Sequence, residues 1–123
     1  MRLLITERDP LVRLWLGLRA EELGVQLEFA ASGTELRSAI EDRLPDCVVM
    51  DASSSTDERA PLWRQLRDAP ETSHIPILLY SSSNHWQTVA ELAGATVDGF
   101  LPRPFTADVM LDVAQQLTSR AAA

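Results

Sequence analysis

The residues of this chain that could do chemistry gather where apolar runs end. In the opening stretch MRLLITERDPLVR, Leu3, Leu4 and Ile5 lead into three charges, Glu7, Arg8 and Asp9. Later runs end in Asp51 and Ser81, and Arg103 follows the last of them. Two carboxylates such as Glu7 and Asp51, brought together without a metal, need a counter-charge. Arg8 can supply it, because a guanidinium carries five donors in a fixed fork that bridges carboxylates or holds a phosphoryl group. The same charge opposes a hard cation. At ~4 Å and an effective dielectric near 20, two unit charges interact by about 4 kcal/mol before relaxation and screening. The alternative is a solvated strand end in which Asp9 caps the next helix, with Asp51 a loop acid, Ser81 a turn former and Arg103 a solvated cation.

Other chemistries find little support. His74 and His85 have no metal-ligand spacing, and the single Cys47 sits inside an apolar run, where an inert strand residue is expected. The loop TERDP has no glycine or Ser/Thr run to cradle the phosphate of a bound cofactor. A net charge of −7 opposes direct nucleic-acid binding, which needs clustered Lys and Arg, so a protein is the expected partner. No apolar run approaches 18 residues and no signal-peptide layout opens the chain, so membrane insertion is not expected and a cytoplasmic location is. With 123 residues and 46% apolar content, residues 1–123 read as one domain.

The elements that must position these residues alternate. Apolar runs at 2–6, 26–30, 46–51, 76–81 and 98–102 are separated by helix-like segments, a βαβαβαβαβα pattern that predicts an α/β domain with a parallel sheet. The third and fourth runs are nearly all apolar and belong in the centre; Gly99 and Pro102 place the fifth at an edge. Pro10 opens a first helix whose Leu11, Leu14, Trp15 and Leu18 form a stripe expected to face the core, and Gly24 ends it. Ser32-Gly33-Thr34 opens a second, Asp57 or Ala60-Pro61 a third, Asn84 a fourth, and Thr106 caps a fifth through Val109, Val113 and Leu117. Trp15 and Trp63 are expected in the core. An open parallel sheet binds its ligands beyond the carboxyl ends of its strands, which is where Glu7, Arg8, Asp9, Asp51, Ser81 and Arg103 fall.

Four segments in order, ITERDPLVR, PDCVVMD, IPILLYS and AGA followed by FLPRPF, resemble the receiver domain of two-component response regulators, which are CheY-like. The resemblance covers essentially the whole chain. It implies a flavodoxin-like (βα)5 three-layer sandwich of strand order 2-1-3-4-5, acting in phosphorelay signal transduction and not as an enzyme beyond self-phosphorylation and dephosphorylation. By the same resemblance Asp51 falls on the phospho-acceptor, Ser81 on the hydroxyl that contacts the phosphoryl group, Phe100 on the switching aromatic, and Arg103 on the position of a lysine. Glu7 matches the first acid of a metal-binding pair, and Asp9 lies just beyond the pair.

The departures carry equal weight. Arg8 stands where the second acid belongs, and Ser55 and Arg59 replace the proline and glycine usual after the acceptor. The resemblance therefore implies an atypical receiver with no cofactor, or weak Mg2+ held by Glu7, Asp51 and Ser53 if any is bound. Two functions remain open: a switch phosphorylated by a histidine kinase, and a pseudo-receiver that binds a signalling protein or dimerises without phosphorylation. Either way the expected partner surface, including that of a homodimer, is the fourth helix, fifth strand and fifth helix, around Trp86, Phe100 and Pro102.

Overall fold

The computed structural model describes residues 1–52, 61–80, 97–101 and 105–122. Five strands, β1 (Arg2–Thr6), β2 (Gln26–Ala30), β3 (Cys47–Asp51), β4 (Ile77–Tyr80) and β5 (Gly99–Leu101), form one sheet. Its order is β2-β1-β3-β4-β5, parallel throughout, which is the predicted topology with β5 at an edge. The described helices are α1 (Pro10–Glu22), α2 (Gly33–Asp42), α3 (Leu62–Asp68) and α4 (Ala107–Ala122). The last of these is the helix predicted as the fifth; the predicted fourth, with Trp86, lies outside the described residues.

Alternation along the strands builds two cores. Leu4, Val48, Met50, Ile77 and Leu79 point to one face and pack with Leu36 and Ile40 of α2 and Leu62, Trp63 and Leu66 of α3. Leu3, Ile5, Cys47, Val49 and Leu78 point to the other and pack with Leu16 and Ala20 of α1 and Met110, Leu111, Ala114 and Leu117 of α4. Both faces of the central strands are thus covered, as a near-continuous apolar run requires. Burial pushes the Cys47 thiol up to about 12, so the sulfur is an inert part of the core.

Local signals set the helix ends. Asp9 accepts a hydrogen bond from Leu11 N at 2.9 Å and Pro10 starts α1. At the other end Gly24, with φ of +71°, lets its own N–H reach Glu21 O and that of Val25 reach Ala20 O, a Schellman closure. Ser32 caps α2 by accepting from Glu35 N, and Thr106 caps α4 by accepting from Val109 N.

Helix α1 differs from its prediction. Leu11 is 76% exposed, Leu14 61%, Trp15 66% and Leu18 53%. The side turned to the sheet is instead the i, i+4, i+8 series Val12, Leu16 and Ala20. Trp15 is therefore a surface residue, and Val109 of α4 is also exposed, whereas Trp63 is buried as predicted.

The two sides of α1 should respond oppositely to truncation. Leu16→Ala should cost about 2–5 kcal/mol of unfolding free energy, while Leu14→Ala should stay within about 0.5 kcal/mol of the parent. Urea denaturation in dilute solution measures both, and equal losses would contradict the observed orientation of the helix.

Candidate functional site at the carboxyl edge of the sheet

Pairing in register brings the ends of β1, β3 and β4 side by side: Ile5 lies opposite Val49, and Asp51 opposite Tyr80. Beyond these ends the chain leaves the sheet, and a hollow of about 270 Å³ opens between Thr6, Glu7, Arg8, Asp51 and Tyr80, with Ala31 and Ser32 on the β2 side. Three of the predicted site residues, Glu7, Arg8 and Asp51, are brought together there.

Their local bonds separate their roles. The Glu7 carboxylate turns back on its own chain, where Oε1 accepts from Arg8 N at 2.9 Å and from Asp9 N at 3.0 Å. Its backbone is held on both sides, since Glu7 N donates to Ala30 O at 3.0 Å and Arg13 Nε donates to Glu7 O at 2.6 Å. Arg13 in turn lies 5.5 Å over the Phe29 ring. Asp9 is taken up by its cap on α1 and does not line the hollow. Arg8 is exposed, and its guanidinium makes neither a hydrogen bond nor an ion pair to Glu7 or Asp51. A direct bridge from Arg8 to either carboxylate, anticipated from the residue types, is absent. The cause is that β1 stops at Thr6, so Arg8 lies past the pleat that would aim it at β3.

Two residues that sequence reasoning passed over complete the site. Asp51 N donates to Thr6 Oγ1 at 3.0 Å, the Tyr80 hydroxyl lies 3.0 Å from the same oxygen, and it donates to Thr6 O at 2.8 Å. With the Tyr80 proton on the carbonyl, the Thr6 hydroxyl donates to Tyr80, closing a chain from Asp51 through Thr6 to Tyr80. Burial pushes the Tyr80 phenol up to about 12; the Thr6 bond opposes this, and the charges of Asp51 and Glu7 add to it. The signal in the sequence was a hydroxyl at the last position of each of the two strands that flank β3. Next to Asp51, Ala52 N donates to Tyr80 O at 2.7 Å, and Ala52 O accepts from Trp63 Nε1 at 3.1 Å.

Phe100 lies on β5, half-buried against the α2–α3 core. Ser53, Ser81, Trp86, Pro102 and Arg103 lie outside the described residues. Among the described residues no group of three or more His, Cys, Asp or Glu could hold a metal ion. No helix there is long and apolar enough to cross a membrane.

A parallel α/β sheet of this order with half-buried acids at the carboxyl ends of β1 and β3 is the arrangement that the receiver resemblance implies, and comparison with known proteins agrees. The response regulator receiver domain profile matches residues 3–115. The chain belongs to that family. A virulence transcriptional regulatory protein PhoP from Shigella flexneri is 26% identical over 120 residues, 98% of this chain and 53% of the relative. The chain thus spans about half the length of the curated relatives it matches. Among solved structures, a response regulator from Chloroflexus aurantiacus, itself described as putative, is 25% identical with a TM-score of 0.76, over 96% of this chain and 97% of that one. The receiver domain of a signal transduction histidine kinase from Syntrophus aciditrophicus is also 25% identical, with a TM-score of 0.78, over 96% and 89%.

The Tyr80 bond gives a pH test. A phenol whose folded value lies above its unfolded value keeps its proton longer when folded, so its stability contribution is full below about pH 10 and is lost as pH rises towards 12. Urea denaturation from pH 8 upward should show less alkaline loss in Tyr80→Phe than in the parent. Thr6→Val, which orphans the Asp51 N–H, should cost about 1–3 kcal/mol at neutral pH.

Proposed function

We propose that this receiver domain is an atypical one, in which Asp51 occupies the phospho-acceptor position, Arg8 replaces an acid of the usual metal site, and output passes through contacts with other proteins. The observation that carries this is the composition of the hollow: two carboxylates, one guanidinium at the rim and, among the described residues, no third acid. An octahedral Mg2+ ion asks for several oxygen ligands, and these donors do not fit it well, so weak Mg2+ binding or none is the reading they support. In the transfer itself, a carboxylate oxygen of Asp51 attacks phosphorus in line while the donor's bond to phosphorus breaks and the donor leaves. Charge developing on the phosphoryl oxygens then falls to cations at the rim, Arg8 and, in this reading, Arg103, with Ser81 as a hydroxyl donor. A histidine kinase is the natural donor for such a domain, and Trp86, Phe100 and Pro102 remain the proposed output surface.

The shortage of acids also favours a second reading, a pseudo-receiver that binds a signalling protein or dimerises without a phosphorylation cycle. One pair of measurements separates them. Restoring the acid with Arg8→Asp should raise Mg2+ affinity more than about tenfold by calorimetric titration, because tenfold needs only about 1.4 kcal/mol. It should also increase the phosphoryl adduct on Asp51 seen by intact mass after exposure to acetyl phosphate. Equal Mg2+ binding by the two proteins would remove Arg8 from the metal argument. An adduct absent from both would decide for the pseudo-receiver.

A further inference from the structure

A cavity of about 340 Å³ lies beside the hollow that holds Asp51, between the N-terminal halves of α1 and α4. Glu7 and Tyr80 belong to the walls of both. Its floor is apolar and fixed, because Leu16 of α1 and Met110 of α4 are almost fully buried. Around that floor stand Trp15, Tyr80 and Phe105, three of the chain's seven aromatic residues.

The rings form walls and not a stack. Tyr80 and Phe105 meet with 5.7 Å between centroids and 60° between planes, which turns their faces in different directions. Trp15 makes no ring contact with either of them among the described residues, so space separates its indole from that pair. One charge lines the same space. Glu7 engages Oε1 with the N–H groups of Arg8 and Asp9, and its Oε2 has no hydrogen-bond or ion-pair partner among the described residues. No Lys or Arg among the described residues lines the cavity.

These walls select a guest by chemistry. A neutral apolar guest suits the floor but covers the carboxylate without giving it a partner. A hard inorganic cation suits the carboxylate but gains nothing from aliphatic and aromatic walls in exchange for its water. A methylated ammonium group satisfies both demands: its methyl groups pack on apolar surface, the π faces of the rings attract its charge, and Glu7 neutralises it. Anions are opposed by Glu7 and by a net charge of −7, which draws cations to the surface. The volume lies at the lower end of the ~300–1,000 Å³ typical of small-molecule sites.

We propose that the cavity between α1 and α4 binds a small molecule bearing a methylated ammonium group, held against Tyr80, Phe105 and Trp15 with Glu7 as its counter-ion. The site opens at the seam between the two helices and does not depend on phosphorylation of Asp51.

Choline tests this, with the neutral alcohol in which carbon replaces its nitrogen as the control. Titration of the 123-residue chain followed by proton–nitrogen NMR should show saturable shifts with choline at the amides of Leu16, Phe105, Thr106 and Ala107 and at the Trp15 indole N–H. The neutral alcohol should bind at least about tenfold more weakly. Glu7→Gln and Phe105→Leu should each weaken choline about tenfold, with urea midpoints showing that both variants fold. The comparison of choline with the alcohol uses the parent chain and decides the matter even if a variant unfolds. Equal binding of the two compounds overturns the proposal, as does the absence of saturable shifts at these residues. A trimethyl-lysine peptide that binds more tightly than choline overturns the small-molecule assignment and gives the cavity to a modified protein.

Discussion

Everything at the site depends on the burial of β1 from both sides. Leu3, Leu4 and Ile5 are fully enclosed between two helical layers, with β2 and β3 bonded along the strand's two edges. A strand held in this way can carry polar groups only at its ends, so between Arg2 and Thr6 it is wholly apolar and Glu7 follows where the chain leaves the sheet. The same reasoning places Asp51 at the end of β3 and Tyr80 at the end of β4. Parallel pairing then sets all three ends at one edge, where the hollow opens.

Within that edge, hydrogen bonds between neighbouring strands do the fine positioning. The bond from Asp51 N to Thr6 Oγ1 ties the end of β3 to β1, and the bond from Ala52 N to Tyr80 O ties the next residue to β4. Trp63 adds a third tie from α3. The backbone of Asp51 and Ala52 is therefore held from three directions. Glu7 is held differently, by a carboxylate folded onto the N–H groups of Arg8 and Asp9. Of the two acids facing the hollow, one is thus braced by other strands and the other by its own turn.

Much of this was legible in the sequence because the governing signals were strong and local. Strand runs, the proline at the start of α1, Gly24 at its end and the caps Ser32 and Thr106 each fix one feature through one residue's stereochemistry. Alternation pointed to a parallel sheet, whereas the strand order came from the resemblance of four segments to receiver domains. What escaped was whatever depends on two distant residues meeting. Thr6 and Tyr80 are ordinary strand residues until the register sets them 3.0 Å apart. Arg8 looked like a bridge because its type fits two carboxylates, but the direction of a side chain past a strand end is set by the exit of the chain, which composition does not encode.

Helix α1 shows the limit of periodicity in its clearest form. It carries two interleaved apolar series, Leu11-Leu14-Trp15-Leu18 and Val12-Leu16-Ala20, and both satisfy helical spacing. The larger side chains belong to the first, which is why it reads as the core face. Yet the space between α1 and the sheet is already filled by Leu3, Ile5 and Val49 from the strands and by α4 alongside, and it accepts the slimmer series ending in Ala20. The cap at Asp9 and the bond from Arg13 to Glu7 O then fix the rotation of the helix about its axis. A helix apolar on both sides is stable in water only at the cost of exposing one of them. When the exposed side carries the larger residues, side-chain size alone does not identify the buried one, and the space beside the sheet decides it.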